Sequence, residues 1–320
     1  HHVDGTFGRF VTSLKMMVAD GSVLEVNREQ HADLFAATLG GMGLTGIILE
    51  VEVKLTKLAA PWIYEETSRI GSFREVFSRL NAAGERWPMT VAWVDTTSTG
   101  AARGRGILNA GRWATAEESP SEPPRAMVGP TVPDFFPSGV MNGATIAMLN
   151  SVWYAKHGAA DKKHVVAPGT FFWILDLARE WNRGYGKAGF TQYQCVMPSD
   201  IELYDRFLEL FQKLGGASFV TVFKDCGDQG EGMLSFPKRG TTLAVDVPIR
   251  DPEQTAKMVR ELNAFVLDNE GRVYLAKDAF TTSEQFKRMY PRWEEFEAVR
   301  DRYDPDRRFT SAQSVRLLGR

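Results

Sequence analysis

Residues 40–46 read GGMGLTG, and the segments on either side of them decide between folds. Before them, REQHADLFAATLG (28–40) sets Leu34, Ala37 and Thr38 at helical spacing and ends on Gly40, a glycine suited to close a helix. After them, IILEVEVKL (47–55) carries Ile48, Val51 and Val53 in a β-rich strand. A dinucleotide-binding GxGxxG needs a helix after the glycines, and a phosphate-binding loop needs GK[ST]. Neither is met, so a doubly wound nucleotide fold is set aside. The glycines keep two readings, a structural turn or a backbone cradle for an anionic ligand.

Upstream, VTSLKMMVADGSVLEV (11–26) alternates, turns at Asp20-Gly21 and alternates again, the pattern of a β-hairpin. The unit from Phe10 to Leu55 is therefore hairpin, helix, glycine turn, strand. Downstream, the texture changes at APWIYEE (60–66). SFREVFSRLNAAGERWP reads as an amphipathic helix and TVAWVDTTS as a strand. The proline-rich stretch 116–134 reads as a surface loop. Strands are expected at FTQYQCVMP, SFVTVFKD and TTLAVDVPI, with helices at DIELYDRFLELFQKLG and DPEQTAKMVRELNAFVLDNEG, started by Ser199-Asp200 and Asp251-Pro252 and the first of them stopped by Gly215. The result is an α+β sheet with helices on one face. VYLAKD (273–278) reads as a last apolar strand that ends in a charge, and the chain closes with helices broken at Pro291.

The chain has 320 residues, enough for two domains or for one with a large insertion. With 43% hydrophobic and 24% charged residues and a formal net charge of −2, nucleic acid is not an expected partner. No apolar run approaches the roughly 20 residues of a membrane span. Two cysteines, Cys195 and Cys226, without CxxC spacing, indicate neither a disulfide framework nor a metal site, and a reducing compartment is the default. The opening HHVDGTFGRF, without an initiator Met or a signal-peptide pattern, reads as a truncated product. No GxSxG, HExxH or spaced acidic pair supports a hydrolase or a metalloenzyme.

Trp153-Tyr154, Tyr193, Lys224 and Lys277 are polar or amphipathic groups on or beside expected strands, each ordinarily a surface or snorkelling residue. Lys277 is the exception. An ammonium at the end of an apolar strand must reach solvent, pair with Asp278 or meet an electron-rich ligand, because burying it unpaired is too costly.

Taken together, GTFGRFVTSLKMMVADGSVLEV, LFAATLGGMGLTGII, WNRGYGKAGFTQYQCVMP, GRVYLAKD and MYPRWEEFEAVRDRYDPDRRF resemble the vanillyl-alcohol-oxidase family of FAD-linked oxidases, over nearly the whole chain. The resemblance implies the C-terminal part of an FAD-binding domain interrupted by an α/β cap with an antiparallel sheet. Residues 1–58 would be the second half of the FAD domain, 59–268 the cap or substrate domain, and 269–320 the return to the FAD domain. The family's glycine-rich pyrophosphate loop and HGKN stretch would lie upstream of His1.

The activity implied is oxidation of a sugar secondary alcohol, the ribose 2′-hydroxyl of a polyprenyl-phosphate sugar, with hydride passing to flavin N5. A short-chain reductase partner would complete epimerisation to arabinose, and quinone or oxygen would accept the electrons. The location implied is cytoplasmic, with a peripheral position at the inner membrane face.

By the same resemblance, Lys277 stands beside the flavin pyrimidine edge, where a cation stabilises the charge that builds on reduction. Tyr274 contacts the flavin, and Gly41, Gly43, Leu44, Thr45, Gly46, Ile47 and Ile48 pack on its adenosine end. Lys224 and Tyr193 bind substrate hydroxyl or phosphate, and Ser151, Trp153, Thr242, Ala244 and Cys226 wall the pocket. Departures occur at that wall. Where mycobacterial members read NICVDF, this chain has Thr242 and Ala244 in TTLAVDV, and Cys226 replaces an aromatic residue. Pocket walls set discrimination more than reactivity, so the departures bear on which sugar is accepted. A soluble lactone or alditol is the rival substrate, and a non-catalytic cap-fold binding protein the rival of another class.

Overall fold

Hydrophobic alternation and a tight turn build the first unit, as read from the computed structural model, which describes residues 1–125 and 129–319. Strand β1 (Val11–Met17) buries Val11, Leu14 and Met16 and pairs antiparallel with β2 (Val23–Asn27) around the Gly21 turn, where φ is +90°. Helix α1 (Ala32–Thr38) puts Leu34, Phe35 and Ala37 into the core. Strand β3 (Ile47–Val53) then pairs with the other edge of β1, so the sheet order is β2-β1-β3.

An eight-stranded antiparallel sheet makes up most of the rest. It comprises β4 (Ile63–Ile70), helix α2 (Phe73–Arg86), β5 (Met89–Val94), β6 (Gly106–Trp113), helix α3 (Gly143–Lys156), β7 (Lys162–Val166) and the short helix α4 (Pro168–Phe172). It continues through β8 (Phe190–Met197), α5 (Ile201–Lys213), β9 (Thr221–Cys226), β10 (Gly240–Pro248), α6 (Pro252–Asp268) and β11 (Arg272–Val273). The strand order is β11-β8-β10-β9-β5-β6-β4-β7. The chain ends in α7 (Ser283–Met289), α8 (Trp293–Tyr303) and α9 (Ala312–Leu318), with the break at Pro291 where a helix interior rejects proline. Capping follows the sequence: Asp200 accepts from Glu202 N, and Asp251 from Glu253 N and Gln254 N.

The two faces of the large sheet differ. Ala92, Val94, Leu108, Tyr193, Cys195, Phe223, Leu243 and Val245 point into a core completed by Val76, Phe77 and Leu80 of α2, Phe207 and Phe211 of α5, and Leu262 and Val266 of α6. Their strand neighbours Val91, Trp93, Ile107, Asn109, Gln194, Val222, Lys224 and Thr242 line a cavity on the opposite face. Mixed α+β architecture with antiparallel sheets is therefore what the chain adopts.

The C-terminal helices return to the first unit. Tyr303 accepts from Ala19 N and its hydroxyl lies 3.0 Å from His31 Nδ1, while Asp33 pairs with Arg302. β11, however, joins the large sheet beside β8, so the segment after residue 268 contributes to both units.

Three expectations are corrected. VYLAKD is not a strand to its end: only Val273 pairs, Tyr274 N still bonds Gln194 O at 2.8 Å, and Leu275–Lys277 coil into a turn of 3₁₀ helix. Trp153 and Tyr154 lie on α3, not on a strand, because GATIAMLNSVWYAK carries an Asn142 cap and no breaker, although the Tyr154 hydroxyl donates to Ile70 O of β4 at 3.1 Å. Ser151, also on α3, is exposed and accepts from Arg105 Nη2 at 3.0 Å, outside the cavity lining. The loop at 116–134 has no helix or strand in its described part, its start pinned by Arg112 on Glu118 at 2.7 Å; residues 126–128 lie outside the described residues.

Candidate active site

Between the open sheet face, α3 and residues 171–185 lies a cavity of about 1270 Å³. Its wall is mostly apolar and aromatic (Trp93, Trp153, Phe171, Trp181, Phe219, Phe236), with a few polar groups, the usual make-up of a small-molecule site. Cys226, Thr242 and Tyr274 also line it.

Lys224 projects from β9 on the cavity face, opposite Thr242 in the register. Its ammonium opens to the cavity, yet the surrounding protein displaces enough water to lower its pKa. Lys277 is the last residue of the 3₁₀ turn, half-buried, and desolvation lowers its pKa too, opposed by the Asp246 charge and reinforced by the Lys224 charge. Asp278 is not its partner. That carboxylate accepts from Gln313 Nε2 at 2.9 Å and Arg316 Nη2 at 3.1 Å. Among the described residues neither lysine has a carboxylate within ion-pair distance.

Asp246, on β10, is 2% exposed and accepts from Gln192 Nε2 at 2.9 Å and from Tyr185 Oη at 3.5 Å. Burial pushes its carboxyl up to about 6, against the pull of Gln192 and of the Lys277 charge. Gln194 donates to Thr242 Oγ1 at 3.1 Å, and Thr242 in turn donates to Cys195 O at 2.9 Å, which fixes the amide on the cavity face. Ala244, half-buried, stands between Thr242 and Asp246 on β10. Tyr274 stacks near Phe236, with ring centroids 4.7 Å apart.

The site residues are thus partly brought together. Lys224, Thr242, Cys226, Trp153 and Tyr274 line the cavity; Ala244 and Lys277 are not among its lining residues, although Lys277 feels the charges of Asp246 and Lys224. Tyr193 is not among them either. It pairs opposite Val245, stacks on Phe207 at 6.2 Å on the core face, and its buried hydroxyl has no hydrogen-bond partner. The residues missed are its neighbours Gln192 and Gln194, together with Asp246 and Tyr185. Strict alternation in TQYQCVM marks the glutamines as facing away from Tyr193, so period two was the available signal.

Of the glycine segment only Gly40 lines the cavity that Lys224 also lines; Gly41–Ile48 are outside its lining. A Cβ on Gly41 would come within 2.1 Å of Ala37 O, and one on Gly46 within 2.8 Å of Met17 O. Thr45 is buried, its hydroxyl 2.9 Å from Thr38 Oγ1. Protein packing accounts for both glycines, while Gly43, at φ +73°, has open space where a side chain would stand. Leu44 is buried, and Ile47 and Ile48 are exposed on the edge strand.

A concave apolar face with the Lys224 ammonium in its lining, and the Lys277 ammonium close enough to feel the Lys224 and Asp246 charges, suits a planar, electron-rich, anionic-tending ring, and a flavin fits that description. Among the described residues no cluster of three metal-ligating groups occurs, and no helix is long and apolar enough to cross a membrane.

A relative 36% identical over nearly the whole chain shows the class: the chain belongs to the family of FAD-linked oxidases of vanillyl-alcohol-oxidase type. Within it, the decaprenylphosphoryl-β-D-ribose oxidase of Mycolicibacterium smegmatis is 36% identical over 99% of this chain and 70% of its own length. Residues 220–317 match the family model for D-arabinono-1,4-lactone oxidase. An L-gulono-1,4-lactone dehydrogenase of Mycobacterium tuberculosis is 38% identical over 42% of this chain and 32% of its own. In fold, the chain resembles a xylooligosaccharide oxidase from Myceliophthora thermophila C1, solved with xylobiose. That match has a TM-score of 0.60 and 13% identity, over 95% of this chain and 66% of that one. The chain thus spans about two thirds of the length of these two end-to-end matches.

Proposed function

We propose that the chain is the substrate-facing part of an FAD-dependent oxidase that removes two electrons from the ribose 2′-hydroxyl carbon of decaprenylphosphoryl-ribose. The observation that carries this reading is the similarity to the Mycolicibacterium smegmatis ribose oxidase over nearly the whole of this chain, coupled with two lysines that form no ion pair among the described residues. FAD, when bound, supplies the two-electron acceptor.

The chain's own residues do the rest. Lys277 and Tyr274 would hold the flavin's ring system, and the Lys277 ammonium would offer positive charge to the negative charge that develops on reduction. Lys224 binds a substrate hydroxyl or phosphate from the cavity floor. Gln194 and Thr242, fixed to each other, offer a rigid amide to a sugar hydroxyl. Gln192 and Tyr185 anchor Asp246, whose charge helps to keep Lys277 protonated. Gly41–Ile48 would meet the adenosine end. The product, a 2′-keto sugar, calls for a reductase partner if epimerisation is to follow, and quinone or oxygen would reoxidise the cofactor.

A second reading, a sugar-lactone oxidase, is favoured by the arabinono-lactone oxidase match at residues 220–317. Full-length protein carrying FAD separates the two under anaerobic conditions. Bleaching of the flavin absorbance by a polyprenyl-phosphoryl pentose, and not by aldonolactones or alditols, supports the ribose reading; the reverse pattern overturns it. Protein that never takes up flavin would leave a binding role.

A further inference from the structure

The floor of the cavity changes character along one row of the large sheet. In the register Thr242 stands opposite Lys224, and Val91 opposite Asn109. The β5–β9 pairing sets Trp93 against Val222 and Ala92 against Phe223, and one step further along it Val91 meets Lys224. Thr242, Lys224, Val91 and Asn109 therefore form a row across four strands, and all four line the cavity. Two strand spacings of about 4.8 Å set the backbones of Lys224 and Asn109 roughly 10 Å apart.

The two ends of the row differ in what they offer a ligand. At one end the Gln194 amide and the Thr242 hydroxyl, bonded at 3.1 Å, are neutral and suit a sugar hydroxyl. The Lys224–Asn109 end presents donors. Asn109 Oδ1 is buried without a hydrogen-bond partner among the described residues, which leaves Nδ2 as the end of the amide on the cavity side. Nδ2 donates to no group among them either. Around the pair the floor is apolar, with Val91 between them and Trp93 and Ile107 alongside. Of the acids in the lining, Asp225 accepts from Thr241 Oγ1 at 2.9 Å and Asp176 is exposed. An amide without partners in an apolar floor is costly and calls for a reason. A cation and an N–H donor in one row, with no acid between them, select a small anion rich in acceptor oxygens.

We propose that Lys224 and Asn109 straddle the phosphate of a sugar phosphodiester, and that Asn109 is the residue by which the site prefers a phosphorylated pentose to a free one. An ammonium and an amide, each about 3 Å from oxygens of the same phosphate, fit that backbone spacing. The pentose then lies toward Gln194 and Thr242. The identity of the sugar rests on the ribose reading, whereas the phosphate contact is read from the floor itself.

Calorimetric titration of the full-length, FAD-loaded protein with ribose 1-phosphate and with methyl riboside tests it. Wild type should bind the phosphate ester about tenfold more tightly or better. Asn109→Leu, close in volume, should weaken ribose 1-phosphate about tenfold, the loss of one hydrogen bond to a charged group, and leave methyl riboside unchanged. Its melting temperature should hold or rise, because an unpartnered amide gives way to an apolar side chain. Asn109→Asp keeps the shape and adds a negative charge, so it should weaken the phosphate ester further, and it carries the test if the leucine variant does not fold. With the polyprenyl-phosphoryl pentose, Asn109→Leu should raise KM and nearly keep kcat. The proposal is overturned if wild type does not prefer the phosphate ester, if Asn109→Leu binds it as wild type does, or if the variant loses both ligands alike. Asn109-dependent binding of ribose 1-phosphate without flavin bleaching by the polyprenyl-phosphoryl pentose sinks the ribose reading alone. Bleaching whose KM ignores Asn109 sinks the phosphate contact alone.

Discussion

Asp278 is joined to Arg316, Oδ1 to Nη2 at 3.1 Å, and that pairing deprives Lys277 of the carboxylate next to it in sequence. Gln313 secures the same oxygen at 2.9 Å and also donates to Leu275 O, so the 3₁₀ turn is tied to α9. The ammonium is left with through-space charges only, the attraction of Asp246 and the repulsion of Lys224. A cation held this way is available to a ligand.

Replacing Lys277 with Met should therefore leave folding intact and slow anaerobic flavin reduction about 10²–10³-fold, the usual cost of removing one preorganised stabiliser of developing charge. Equal bleaching rates in wild type and variant would remove Lys277 from the chemistry.

Asp278→Ala should act on stability first. It strips a buried acceptor from Gln313 and Arg316 and frees the turn, a loss of about 1–3 kcal/mol. A lower melting temperature, with Lys277→Met unchanged by comparison, separates the scaffold residue from the functional one.

Asp246 gives a pH signature. Its carboxyl titrates near about 6 in the folded chain against an ordinary 3.8, so between those values the folded state holds the proton and the unfolded state does not. Its contribution to stability is thus full below the ordinary value and lost as pH rises through about 6. Asp246→Asn keeps an acceptor for Gln192 and removes the titration. The variant should gain on wild type as pH rises from 4 to 7, by at most about 3 kcal/mol at roughly 1.4 kcal/mol per unit. A flat difference in melting temperature across that range would show that Asp246 titrates normally.

The glycine turn separates packing from ligand contact. Gly41→Ala drives a methyl against Ala37 O and should destabilise strongly, whereas Gly43→Ala meets only its positive φ, a cost of about 1 kcal/mol. Equal melting temperatures in the two variants would contradict the close backbone approach.

Much of the fold was legible in local pattern. The hairpin turn at Asp20-Gly21, the Asp200 and Asp251 caps and the Pro291 break are set by residues within a few positions of one another, so the sequence carries them directly. Trp153 and Ser151 were less legible, because α3 is apolar all round and lacks the 3.6-residue polar face that betrays a helix. The Asp278–Arg316 and Asp246–Lys277 relationships span dozens of residues and follow only from how the 3₁₀ turn sits against α9 and β10, which no local pattern encodes.

Tyr193 shows where resemblance and physics part. The resemblance nominated it for substrate binding, but β8 pairing places it on the helix-covered face, stacked on Phe207, with its hydroxyl buried and unbonded. Burial pushes that hydroxyl's pKa well up, so it stays protonated at neutral pH. An unsatisfied buried hydroxyl costs about 1–3 kcal/mol, and its removal without a change of shape should be neutral or stabilising. Tyr193→Phe should therefore raise or preserve the melting temperature and leave flavin reduction unchanged, whereas Gln194→Ala, on the opposite face of the same strand, should raise KM. A marked loss of turnover in Tyr193→Phe with no change in melting temperature would put the hydroxyl back in the site.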